Sequence, residues 1–253
     1  MSKEPVTARV ALVTGAGRNI GREIALSLAA SGAAVVVNVR SSLKEGQSVV
    51  DEITERDGRA LLCVADVADQ HAVLQMIAKI EEKWGRLDVL VNNAAVRREA
   101  KMEDISAMDW HSTLAVILDG AFFCTQAALR LLRKSEQPTI VNIGGMTGHT
   151  GAANRLHVVT AKAGLAGMTR ALAQELAPDR ITVNCVAPGM IDTVRHASSS
   201  TANPDHRRRH HTLLARHGTA SEVAQTVAWL TGDGARFVTG QVVHVNGGAY
   251  LGS

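Results

Sequence analysis

Tyrosine is nearly missing from this chain: there is one, Tyr250, in 253 residues. Aromatic residues amount to 3%, too few for the stacking platforms that single-stranded nucleic acid needs. The three cysteines, Cys63, Cys124 and Cys185, stand apart in apolar segments. Such a pattern builds neither a disulfide framework nor a zinc site, and a reducing, cytoplasmic setting is expected. No apolar run reaches the roughly 18 residues of a membrane span, so no membrane segment is expected. Met1–Pro5 lacks the apolar core of a signal segment. What is there is 46% hydrophobic and 20% charged, which excludes a disordered or fibrous chain. The length suits one large α/β domain or two small ones with a sizeable core.

The net charge of +3 says little by itself. Its distribution says more. Between Val194 and His217 lie Arg195, Arg207, Arg208, Arg209 and Arg216 against one acid, Asp205, together with His196, His206, His210, His211 and His217. This stretch reads either as a solvated loop or as a lid that draws in an anionic substrate. One short basic stripe is a poor footprint for nucleic acid, and no nucleic-acid partner is expected.

Apolar, β-rich runs alternate with helical patterns from end to end. Arg9–Val13, Ala33–Val39, Ala60–Ala65, Leu87–Asn92, Thr139–Ile143, Ile181–Val186 and Val242–Val245 read as strands. Ile20–Ala30, Gln47–Arg56, Ala72–Trp84, Trp110–Leu132, His157–Leu176 and Ser221–Leu230 read as helices, the last opened by a capping-box spacing from Thr219 to Glu222. Continuous apolar strands joined by crossover helices predict a parallel sheet of about seven strands with helices on both faces. The expectation is one doubly wound, Rossmann-type α/β domain over residues 1–253, with an insertion around 190–217.

The first strand ends in Thr14-Gly15-Ala16-Gly17-Arg18-Asn19-Ile20-Gly21 and opens directly into a helix. Glycines let the backbone turn sharply and approach a pyrophosphate, and the helix N-terminus offers free N–H groups and a positive dipole. In this strand-turn-helix setting the motif marks a dinucleotide site. The second strand chooses between dinucleotides. An NAD site places an acid at its end to accept bonds from the adenosine ribose, but here Asn38-Val39-Arg40-Ser41-Ser42 follows. Arg40, Ser41 and Arg18 would instead hold a 2′-phosphate, so NADP(H) is the expected cofactor.

With these motifs in place, the chain resembles the short-chain dehydrogenase/reductase family, especially its 3-oxoacyl-carrier-protein-reductase-like members. The resemblance also rests on Asp66-Val67, Asn92-Asn93-Ala94-Ala95, Ala161-Lys162-Ala163-Gly164, Asn184-Cys185-Val186-Ala187-Pro188-Gly189, Thr239-Gly240 and Asn246-Gly247-Gly248. It implies that Asp66 and Val67 hold the adenine, that Asn93 and Ala94 line the cofactor ribose, and that Lys162 binds the nicotinamide ribose. Pro188, Gly189, Ile191 and Thr193 would surround the nicotinamide. A homotetramer is implied as well, formed through helices 104–132 and 157–176 and the last strand. Asn19 replaces one glycine of the family's turn, a change that Asn tolerates because it adopts unusual φ readily.

The resemblance further implies a tyrosine as proton donor, a serine holding the carbonyl, an asparagine supporting a water relay, and a lysine that lowers the tyrosine's pKa. The tyrosine belongs four residues before Lys162, where Val158 stands; the serine belongs at Gly145 and the asparagine at Ile117. Only Lys162 remains. Two histidines are candidate substitute acids: His149, in the loop after the fifth strand, and His157, next to the missing tyrosine. Residue 157 is rotated about 100° from the face shared by 158 and 162, and Arg155 lies nearer that face. Thr147 and Thr160 could bond a ligand but are poor acids.

Three functions stay open. One is an NADPH-dependent reductase of a C=N or conjugated C=C bond, which needs no proton on an oxyanion. The run His157–Lys162 loosely resembles the corresponding run of 2,4-dienoyl-CoA reductases, and an anionic or CoA-linked small molecule would suit the basic stretch. Another is carbonyl chemistry with a substitute acid. The third is a silent NADP(H)-binding homologue acting as sensor or structural subunit.

Overall fold

Runs of valine, leucine and isoleucine pack poorly unless both faces of a strand are covered, and that sets the architecture. In the computed structural model, which describes residues 8–193 and 212–252, the sheet strands are β1 (Val10–Val13), β2 (Ala34–Val39), β3 (Arg59–Val64), β4 (Val89–Asn92), β5 (Thr139–Ile143), β6 (Thr182–Pro188) and β9 (Val242–Val245). They form one sheet in the order β3-β2-β1-β4-β5-β6-β9, and every pairing is parallel. Seven parallel strands match the sequence expectation.

Successive side chains alternate between two helical layers. Leu12, Val36, Leu90 and Ile140 meet α3 (Gln70–Trp84) and α5 (Gly120–Leu132) through Met76, Ile80, Cys124 and Leu131. Val13, Val37, Val91 and Val141 meet α1 (Asn19–Ala30) and α8 (Ala220–Thr231) through Ile24, Leu28, Val223 and Val227. The remaining helices are α2 (Leu43–Glu55), α4 (Ala107–Leu114), the short α6 (Thr147–Thr150) and α7 (Leu156–Glu175). Strand order reverses beside β1, between β2 and β4, and a crevice opens there at the carboxyl ends of the strands.

Three details differ from the sequence reading. The expected single helix Trp110–Leu132 is α4 and α5 joined by a π-helical turn, Ala115–Asp119. Just after it, Gly120 approaches so closely that a Cβ there would stand 2.7 Å from Val67 Cγ2. The stretch Ala107–Leu132 is also apolar and long enough, by composition and length alone, to cross a membrane. Its apolarity is accounted for by the burial of Cys124, Ala128, Leu131 and Leu132 against the sheet. Finally, two short strands were not foreseen: β7 (Ile191–Asp192) pairs in parallel with β8 (Gly218–Thr219).

The expected capping box at the start of α8 is present, with Thr219 Oγ1 accepting from Glu222 N and the Glu222 carboxylate accepting from Thr219 N. Most of the basic stretch, including Arg195 and Arg207–Arg209, lies outside the described residues. Of its described part, Arg216 is paired with both carboxylate oxygens of Glu222, and His217 Nδ1 lies 2.8 Å from Asp192 Oδ1.

Candidate functional site

The glycine-rich turn is braced from two sides. Asn38, a polar residue inside the apolar β2, is buried; its Oδ1 accepts from Gly15 N at 3.3 Å and its Nδ2 donates to Ala65 O at 3.0 Å. From the other side Asn93 Nδ2 donates to Thr14 O (2.8 Å) and Gly15 O (3.1 Å). The Thr14 hydroxyl accepts from the backbone N–H groups of Asn93 and Ala94. Asn93 therefore holds the turn in shape as well as facing the cleft. Thr14 and Asn38 were not singled out as site residues from sequence; an amide within a run of valines was the available signal.

Backbone conformation explains the residues of the turn. Gly15 has φ +63° and Asn19 has φ +50°, the left-handed region that Asn tolerates better than most side chains. At Gly21 a Cβ would stand 2.4 Å from both Asn93 Nδ2 and Gly15 O. The cradle thus presents bare backbone at the start of α1, where N–H groups favour an anion.

Around the turn runs a cleft of about 460 Å³. Arg18, Arg40 and Ser41 line it, with Asp66 and Val67. Gly15, Gly17, Asn19, Ile20, Gly21, Asn93 and Ala94 also line it. The structure therefore gathers all of these expected cofactor-binding residues into one cavity. Sequence reasoning did not foresee that Arg97, Arg98 and Glu99 from the loop after β4, with Val116 and Arg155, line it too.

Pro188, Gly189, Ile191 and Thr193 fall outside the residues lining this cleft. Pro188 O accepts from Met146 N and Gly189 N donates to Val245 O, which seats the segment between the loop after β5 and strand β9. Thr193 is tied back to the cleft by a 3.3 Å bond from Arg97 Nη1.

Lys162 is half-buried, and its Nζ donates to Ile143 O at 2.5 Å. Burial pulls its pKa down to about 8; the neighbouring guanidinium groups of Arg97 and Arg155 push the same way, while the Cys185 thiol opposes them. Gly145, Val158 and Ile117 bring it no polar side chain. Gly145 presents no side chain, and a Cβ there would be 3.9 Å from Lys162 Cγ. Val158 is buried, and Ile117 packs in a small apolar cluster with Ala121, Ala161 and Leu165. An NMR titration of the lysine side chains is expected to find Lys162 losing its proton near pH 8. Arg97→Met, by removing a like charge, should move that midpoint upward.

Lys162 and both candidate histidines fall outside the residues lining the cleft. His157 is buried on the first turn of α7, and neither ring nitrogen has a hydrogen-bond partner among the described residues. Burial lowers its pKa, with Asp109 opposing and Arg98 and Arg155 assisting. Gly148 lies so close to α7 that a Cβ would meet the Lys162 carbonyl carbon at 2.9 Å. The following His149 packs edge-on against His244 (4.8 Å between centroids) and stacks on Tyr250 (5.9 Å). Burial, then the Arg170 charge, lowers its pKa. The structure thus sets His149 beside β9 and the C-terminal segment, apart from the cleft.

A family model described as enoyl-(acyl carrier protein) reductase matches residues 15–250. A 3-oxoacyl-[acyl-carrier-protein] reductase of Staphylococcus aureus is 38% identical over 245 residues, covering 95% of this chain and 98% of its own. A (2S)-[(R)-hydroxy(phenyl)methyl]succinyl-CoA dehydrogenase subunit of Thauera aromatica is 40% identical over 248 residues, covering 96% of this chain and 97% of its own. Among solved structures, a short-chain dehydrogenase of Burkholderia cenocepacia in complex with NADP superimposes with a TM-score of 0.89 at 36% identity, covering 95% of this chain and 97% of the other.

Proposed function

The chain belongs to the short-chain dehydrogenase/reductase family of NAD(P)-dependent oxidoreductases, and on that premise we propose that it is a reductase that uses NADP(H) on a polarised double bond needing no protein acid at oxygen. The substrate classes are a conjugated C=C of an acyl thioester and a C=N. One observation carries this reading. The glycine-rich turn and its neighbours line one cleft, while by the resemblance Gly145, Val158 and Ile117 take the positions of the family's hydroxyl and amide groups and Lys162 that of its lysine.

NADP(H) is the cofactor, as in the Burkholderia relative. The fit lies in the bare backbone at Gly15 and Gly21, where a side chain would fill the cradle, and in Arg18, Arg40 and Ser41 at the end where an NAD site has an acid. Removing one charge-assisted phosphate contact costs about 1.5–3 kcal/mol. Arg40→Ala is therefore expected to weaken NADPH about tenfold to a hundredfold and to leave NADH binding unchanged, as read by fluorescence titration.

Bound NADPH supplies a hydride. The chain supplies the rest: the turn of Thr14–Gly21 fixes the cofactor, and Val158 and Ile117, both buried and apolar, offer no proton. Lys162 offers a positive charge to a developing enolate. Conjugate reduction places charge on a remote thioester oxygen that such a cation can stabilise, and reduction of an iminium carbon yields a neutral amine. A histidine-assisted carbonyl reduction has less support, because His149 is packed on His244 and Tyr250 and His157 is buried. The expected homotetramer is supported by the exposed apolar side chains Met108 and Phe122 on α4 and α5.

The test is NADPH oxidation with matched 2-enoyl and 3-oxoacyl thioesters and a cyclic imine. Turnover of the first or third above the 3-oxoacyl compound is expected; the opposite order refutes the proposal. The apolar catalytic positions also favour a second reading, a silent NADP(H)-binding subunit, and one relative is itself named a subunit. Its signature would be tight NADPH binding with no turnover of any class and copurification with a complete homologue.

A further inference from the structure

Asn38 is the one polar side chain in β2, among Ala34 and four valines. Its ladder partner is Cys63, yet its amide reaches past that pair to both sides. Oδ1 accepts from Gly15 N at 3.3 Å, while Nδ2 donates to Ala65 O at 3.0 Å and Cys63 O at 3.3 Å. Its own backbone carbonyl accepts from Ala16 N at 2.8 Å.

Three parts of the cleft meet at this residue. The turn supplies Gly15 and Ala16. β2 runs on into Arg40 and Ser41, and β3 runs through Ala65 into Asp66 and Val67. The same junction is closed by Ala65 N, which donates to Val39 O at 3.0 Å. It is closed again at Gly17, where a Cβ would stand 3.0 Å from Val39 Cγ1.

The sheet does not require an amide here, because its ladder is made of backbone groups and a valine would serve equally. A buried amide costs free energy unless it is bonded, so the reason for Asn38 lies in what its side chain joins. The position must accept from Gly15 and donate to Ala65, which an amide does from a single planar group. A carboxylate would set an acceptor against the Ala65 carbonyl, and an aliphatic chain would leave a buried N–H and a buried C=O unpaired.

We infer that Asn38 is a positioning residue: it fixes the spacing between the phosphate-binding turn and the strand ends that receive the adenine and the 2′-phosphate, so that the two halves of NADP(H) bind cooperatively. It acts through Gly15 and Ala65. A spacing set in advance spares the ligand the cost of ordering one site after binding at the other. The inference rests on NADP(H) as the cofactor and is independent of which bond is reduced.

The experiment titrates the whole protein with NADPH and with its adenine half, adenosine 2′,5′-bisphosphate. Asn38→Leu is expected to weaken NADPH about tenfold or more, one factor of ten being ~1.4 kcal/mol, and the fragment by less than about threefold. Asn38→Asp keeps the acceptor toward Gly15 and loses the donor toward Ala65. Its charge acts on both anionic ligands, so the ratio of the two affinities is read, and that ratio should also fall. An amide that only supports the fold would lower the Tm of both variants and leave the ratio unchanged, which overturns the inference. If neither variant folds, the unsubstituted protein decides. Adenosine 2′-monophosphate, which carries no pyrophosphate, should slow hydrogen exchange at the Gly15 and Ala16 amides; unchanged exchange at both refutes the coupling. A failure of the unsubstituted protein to bind NADPH refutes the cofactor and the inference together, whereas normal binding with an unchanged ratio refutes the inference alone.

Discussion

Installing Gly145→Ser and Val158→Tyr together is expected to raise NADPH-dependent reduction of a 3-oxoacyl thioester by about two to four orders of magnitude, the usual contribution of a positioned general acid. The site has room for the first change, since a Cβ at Gly145 finds its nearest neighbour, Lys162 Cγ, at 3.9 Å. The second puts a phenol one helical turn before Lys162, on the face of α7 that 158 and 162 share. A neighbouring ammonium would lower the phenol's pKa toward the working pH. Ile117 is best left alone, because it packs on Ala121, Ala161 and Leu165, where an unmatched amide would cost about 1–3 kcal/mol. Rates with matched thioesters, measured against the unsubstituted protein, give the answer. A variant that binds NADPH normally yet gains no ketone activity would show that the missing hydroxyls are not what limits this site.

The second large effect belongs to the cradle. Gly21→Val should reduce NADPH affinity by at least about a hundredfold, near 3 kcal/mol. The new Cβ would stand 2.4 Å from Asn93 Nδ2 and from Gly15 O, so either α1 moves off the turn or Asn93 gives up its bonds to Thr14 and Gly15. Both outcomes reshape the backbone that must approach the phosphates. Gly167→Ala is the control: on exposed α7 backbone with no atom within 4 Å of the added Cβ, it should leave cofactor binding unchanged and stabilise the helix by roughly 0.5–1 kcal/mol. Titrating NADPH into both variants separates a local steric effect from general sensitivity to glycine replacement. Equal affinities would remove the close approach of α1 to the turn as the reason for Gly21.

The sheet is legible in the sequence because a strand buried on both faces reads as an unbroken apolar run, and residues 10–13 and 34–37 are such runs. The phosphate turn is legible because its constraints are local: a left-handed φ at Gly15 and Asn19 leaves a mark on residue choice. The π turn at Ala115–Asp119 escapes, since it changes hydrogen bonding without interrupting the apolar pattern. The Arg97, Arg98 and Arg155 cluster escapes for another reason. Its members are some 57 positions apart in the chain and meet only because the loop after β4 is tied to Asn154. His149 is less legible than its position in the loop after β5 suggests. Its place in the loop suggested the substrate, but Gly148 against α7 sends the next ring toward His244.

Tyr250 packs against the rings of both His149 and His244, which also touch each other, and is the one tyrosine in the chain. Growth on fluorotyrosine would therefore introduce a single fluorine nucleus without any mutation. Its resonance would sense ring currents from two histidines, one on the loop after β5 and one on the outermost strand of the sheet. A change in their spacing on adding NADPH would shift a solitary line, so this protein comes with its own reporter of how the edge of the sheet answers the cleft.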